Sequence, residues 1–112
     1  TALGYSLADR NLRLPQAREY IVKALEMSPE DPFIMDSLGW VEFKMGRLQE
    51  ALAILKRAYA IKPDADIAAH LGEVMFQSGQ KEEALNLWRM AIEKSPDNEV
   101  LQETLKRLGI KI

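Results

Sequence analysis

The stretch LGWVEFKMGRLQEAL, Leu38–Leu52, returns as LGEVMFQSGQKEEAL, Leu71–Leu85, 33 residues further on. Both copies read L-G-x-V-x-F-x-x-G-x-x-x-E-A-L, with eight letters held at matching offsets. Self-similarity with a period of about 20 to 50 residues marks a chain assembled from stacked supersecondary units. The apolar spacing inside each copy is helical. Leu48, Ala51, Leu52, Leu55 and Ala58 follow steps of three and four, and Ala84, Leu85, Trp88, Ala91 and Ile92 do the same.

The punctuation between these runs is specific. Gly46 and Gly79 fall where a helix must close, because glycine accepts the left-handed conformation that ends it. Pro63 and Pro96 follow each second run and prevent its continuation. The segments SPEDPF, KPDADI and SPDNEV then offer Asp31, Asp64 and Asp97 or Asn98 as helix N-caps, with Pro32 suited to a first turn. The repeated unit is helix, short turn, helix, turn.

A leucine-glycine pair followed by Gly, Ala, a large apolar residue, Ala and Pro resembles the tetratricopeptide repeat. Leu38, Gly39, Gly46, Ala51, Leu55, Ala58 and Pro63 carry the pattern once, and Leu71, Gly72, Gly79, Ala84, Trp88, Ala91 and Pro96 carry it again. A weaker copy reads Leu3, Gly4, Ala17, Ile21, Ala24 and Pro29. The resemblance implies an all-α solenoid of three helix-turn-helix repeats in a right-handed superhelix. The units are 1–31, cut into at its start, then 32–64 and 65–98, with a capping helix at 99–112. Gly and Ala at these points let two helices approach while the large residues fill the space beside them.

This chain departs from the pattern in three places. ADRNLRLP carries one extra residue and no turn glycine, and Asn11 is the residue suited to replace it. The joint before the third unit is one residue shorter than the joint before the second. Glu42 stands where the family usually places an aromatic residue facing its partner helix, so it needs a basic partner or solvent. The last helix, NEVLQETLKRL, has an apolar stripe of Val100, Leu101, Leu105 and Leu108 under a polar remainder. Such a helix suits the end of an array.

On the helix from Pro32 to Met45, rotation by ~100° per residue separates two apolar stripes by roughly 140°. Ile34, Leu38, Val41 and Met45 form one stripe, and Phe33, Trp40 and Phe43 the other, with Asp36 and Lys44 beside it. In the family, the first helices of successive units line a concave groove. The resemblance places Tyr5, Asp9, Phe33, Asp36, Trp40, Phe43, Lys44, Glu73, Phe76, Gln77, Glu103 and Arg107 there. An aromatic floor edged by charge is how binding hot spots look. The competing reading keeps Phe43, Phe76 and Trp40 in the core, and makes Phe33 a staple over the preceding turn. The basic and amide residues with which some members grip acidic chaperone tails are absent, since Tyr5, Asp36 and Trp40 stand at those places.

Composition narrows the function classes. The chain is 47% hydrophobic and 29% charged, as for a folded globular protein. Its 15 basic and 17 acidic residues are interspersed, which leaves no positive field for nucleic acid. The longest apolar run, Ala51 to Leu55, is far below the ~20 residues that span a bilayer. There is no cysteine, and His70 is the only histidine, with Glu73 at i+3. Glu82 and Glu83 suit a helix first turn, and Asp64 with Asp66 supplies too few oxygens for calcium. The reading is therefore no enzyme, no metal and no cofactor.

The expected role is a protein-interaction module that takes a partner peptide or helix in its groove. Two alternatives stand beside it. The segment extends and caps a longer superhelix while recognition lies upstream, or it self-associates into a homodimer through the first-unit face around Leu3, Leu7 and Tyr20. A narrower resemblance, carried by the run from Met35 to Ile92, is to the C-terminal ends of long repeat proteins of proteobacteria. Many of these are outer-membrane lipoproteins of the periplasm that act as assembly scaffolds or protease adaptors. A cytoplasmic setting is the alternative.

Overall fold

The computed structural model describes residues 13–112 as six α-helices. They are α1 (Leu14–Met27), α2 (Pro32–Lys44), α3 (Leu48–Ile61), α4 (Ala65–Gln77), α5 (Lys81–Lys94) and α6 (Glu99–Leu108). Asn11 lies outside the described residues. The left-handed residue before α1 is Arg13, with φ of 53°.

Each predicted start signal is used. Asp31 accepts from the Phe33 and Ile34 amides at 2.9 and 3.2 Å, and Pro32 takes the first helical position, where no N–H is needed. Asp64 accepts from the Asp66 amide at 3.0 Å. Between Asp97 and Asn98 it is Asn98 that caps α6, accepting from the Leu101 amide at 2.9 Å. Its side-chain amide also donates to Asp66 Oδ1 at 2.8 Å, which ties the start of α6 to the first turn of α4.

The stops are alike as well. The Arg47 amide donates back to the Glu42 carbonyl at 2.8 Å across Gly46, whose φ is 82°. Gln80 donates to Met75 at 2.8 Å across Gly79, at 93°. This six-to-one closure needs a left-handed residue, which glycine supplies without steric cost. Such short turns make α2 and α3, and likewise α4 and α5, antiparallel neighbours.

The helices fall into two units, divided between Lys62 and Pro63. In the first, α2 packs against both α1 and α3. Its core includes Ala17, Ile21, Leu38, Trp40 and Val41, with Ile34, Phe43 and Ile54 packed around them. In the second, α4 packs against α5 and α6, and Trp88, Ile67, Leu101 and Val74 are fully enclosed. The amphipathic pattern of α6 buries Leu101 and Leu105, as its stripe predicts.

Gly39 and Gly72 set the helix spacing inside each hairpin. A Cβ at Gly39 would stand 2.6 Å from Leu55 Cγ, and one at Gly72 2.5 Å from Trp88 Cε2. Both are far inside contact distance, so the large side chain of the second helix occupies the room a first-helix methyl would take. Gly72→Ala should therefore lower stability in urea denaturation by about 2 kcal/mol, although alanine alone favours a helix by ~1 kcal/mol. Adding Trp88→Leu should recover part of the loss. A neutral or stabilising Gly72→Ala would show that the indole has room to move.

Candidate functional site

The first helices of the two hairpins are covered on every side over their central turns. Residues 35–42 of α2 are all buried, and so are residues 67–74 of α4. Eight consecutive buried residues exceed two helical turns, so no stripe of either helix stays open along that length. This decides the fate of several expected groove residues. Asp36, Trp40 and Glu73 are buried, and Trp40 is only 3% exposed.

Trp40 therefore belongs to the core of its unit, where the groove reading had placed it on an open floor. Both stripes of α2 are apolar because this helix is packed on two sides. Phe43 is half-buried with its ring centroid 5.1 Å from that of Trp40, and the Lys44 ammonium sits 5.2 Å above the indole. The three expected residues are thus brought together, as a core aromatic with a ring and a cation over it. Phe33, at the N-terminal end of α2, is 48% exposed.

The second unit repeats part of this arrangement. Phe76 is half-buried against Trp88, centroids 5.8 Å apart, and the Lys81 ammonium lies 5.3 Å above its ring. Gln77 beside it is exposed. Glu73 and Arg107 are also brought together, as an ion pair joining α4 to α6 in which the carboxylate is buried and the guanidinium half-exposed. Both were expected to face a partner. The Glu73 carboxylate is instead occupied from within the unit, which follows from its burial, since an enclosed charge needs a counter-charge. Glu103 is exposed. Tyr5 and Asp9 lie outside the described residues, as do Leu3 and Leu7, while Tyr20 of α1 is 51% exposed.

Glu42 meets the need stated for it with two basic partners. Arg18 Nε of α1 donates to its Oε1 at 3.0 Å, and Arg47 Nη1 from the turn after α2 donates at 3.4 Å. Neither arginine is in the expected site. His70 is buried on α4. Among the described residues, no group of three or more His, Asp or Glu side chains could hold a metal ion. No described helix is long and apolar enough to cross a membrane.

Comparison with known proteins agrees with this geometry. Two family models described as tetratricopeptide repeat match the chain, one over residues 2–66 and the other over 42–108. This chain belongs to the tetratricopeptide repeat family. Over 107 residues, 96% of the chain, it is 59% identical to a TPR repeat-containing protein of Pseudomonas aeruginosa. The chain spans only 18% of that relative's length. TPR repeats generally mediate protein–protein interaction, and the family is typically a non-enzymatic scaffold.

Burial separates the TPR residues that can report binding from those that cannot. Trp40→Ala should lower unfolding stability by about 3–5 kcal/mol, the usual cost of emptying a core aromatic site. Phe33→Ala, at an exposed position, should stay within about 1 kcal/mol of the parent. Chemical denaturation of both variants checks this. Equal losses would mean that Phe33 carries packing its exposure does not reveal.

Proposed function

We propose that this TPR segment binds a protein partner, presented as an extended peptide or a helix, at the ends of its first helices. The supporting observation is a half-buried phenylalanine at the C-terminal end of each first helix with a lysine nearby. Lys44 lies over the Trp40 ring in one hairpin, and Lys81 over the Phe76 ring in the other. The phenylalanines are Phe43 in the first unit and Phe76 in the second, next to the exposed Gln77. A partially open ring beside an ammonium group suits an apolar side chain adjacent to a carboxylate. Phe33 adds an exposed aromatic at the other end of α2. Within the first unit Trp40 packs against Phe43, and within the second Glu73 and Arg107 are paired with each other.

The parent protein is proposed to act as a scaffold or adaptor in the cell envelope. Support comes from the resemblance of the segment around Met35 to Ile92 to the C-terminal ends of long proteobacterial repeat proteins, and from the length of the relative. A second reading makes the segment a structural extension of a longer array, with recognition elsewhere. The full enclosure of α2 and α4 over their central turns favours it.

Site-specific photocrosslinking in the full-length parent, in its own cell, distinguishes the two. A photoreactive residue replacing Lys44 or Gln77 should yield a partner adduct, and one replacing Lys56 or Arg89, exposed on the second helices, should not. Adducts that arise only from upstream repeats would favour the structural reading.

A further inference from the structure

Glu42 is the least expected buried group of the first unit, and the repeat register shows why. Counted from the turn glycines Gly46 and Gly79, Glu42 corresponds to Met75. Arg18 directly follows the small alanine Ala17 of its second helix, and the residues following Ala51 and Ala84 are Leu52 and Leu85. Two places that are apolar elsewhere in the chain thus carry opposite charges in the first unit. They sit on opposite sides of one helix contact, α1 against α2, and the structure joins them at 3.0 Å. The carboxylate side chain is 4% exposed, while those of Arg18 and Arg47 are 40% and 46% exposed.

A well-packed apolar pair of similar volume is generally as stabilising as a buried ion pair, or more so. What the ion pair adds is discrimination, because an apolar helix in the place of α1 leaves the enclosed carboxylate with one counter-charge in place of two. Repeats built to one pattern need such a device. Their second helices share the same small-and-large surface, so one can take another's place in the same chain or in a second copy. Arg47 belongs to the turn that follows α2, so it holds the carboxylate whichever helix lies alongside and cannot distinguish between them. We propose that Glu42 and Arg18 form a pairing key: on the side that α1 covers, distinct from the hairpin contact with α3, α2 accepts a second helix that carries arginine after its small alanine and rejects one that carries leucine there.

The test is a double-mutant cycle on the 112-residue chain, read by amide hydrogen exchange in α1. Arg18→Leu should speed exchange of the α1 amides by about 100-fold, because it leaves the enclosed carboxylate with Arg47 alone, at 3.4 Å, and sets an apolar side chain against it. Glu42→Met should change it by less than about 10-fold, since both arginines can turn to water. The double variant should return to within about 10-fold of the native rates. If Arg18→Leu does not fold at all, recovery of helical circular dichroism in the double variant reads the same coupling. An equal effect of Arg18→Leu with and without Glu42→Met would overturn the key. A second measurement separates pairing choice from stability. After refolding at high concentration, Glu42→Met should give more α1-exchanged oligomer than the native chain by sedimentation. An unchanged distribution of species would leave the ion pair without the proposed role.

Discussion

The close approach of each first helix to its second helix is the constraint on which the rest of the structure depends. At Gly39 the missing side chain makes room for Leu55, and at Gly72 for the larger indole of Trp88. Both large residues are fully enclosed, so each hairpin is held by a side chain driven into the space beside a bare stretch of backbone. That contact sets the distance at which Ala51, Ala58, Ala84 and Ala91 are also buried. The Trp88 indole N–H, directed at the Ala69 carbonyl at 3.5 Å, adds a polar contact that Leu55 cannot make.

Charge inside the two units obeys a second constraint. Glu42 and Glu73 are both buried carboxylates, and each is met by arginine from another element. Glu42 draws on α1 and on the turn after α2, whereas Glu73 draws on α6. In both cases the arginine remains partly in solvent, which limits the desolvation cost to the carboxylate side. The second unit thereby gains two polar ties between α4 and α6, from Glu73 to Arg107 and from Asp66 to Asn98. An amphipathic helix of ten residues, short for independent stability, is anchored at both ends and along its apolar stripe.

These constraints reduce the surface left for a partner. The middle of each first helix is spent on packing, and what remains lies near the ends, where Phe43, Lys44, Phe76 and Gln77 are not enclosed. Recognition there would depend on rings already held in place: Phe43 against Trp40, and Phe76 against Trp88. Rings fixed by a core neighbour lose little freedom on binding, which favours them as contact points.

The hairpin architecture was legible in the sequence because its signals are local. Turn glycines, capping Asp and Asn residues, helix-ending prolines and the three-and-four spacing of apolar residues each act within a few residues of themselves. Depth of burial was not legible, and Trp40 shows why. Periodicity says that two stripes of α2 are apolar, but not how many neighbours cover them. The indole is interior to a unit in which α1 and α3 both pack against α2. The partners of Glu42 and Glu73 were hidden for the same reason, since Arg18 and Arg107 lie 24 and 34 residues away along the chain. Sequence by itself determined where each helix begins and ends and which residues had to be small. Tertiary structure alone decided which of the apolar and charged residues face water, because burial belongs to the assembled neighbours and not to the helix that carries the residue.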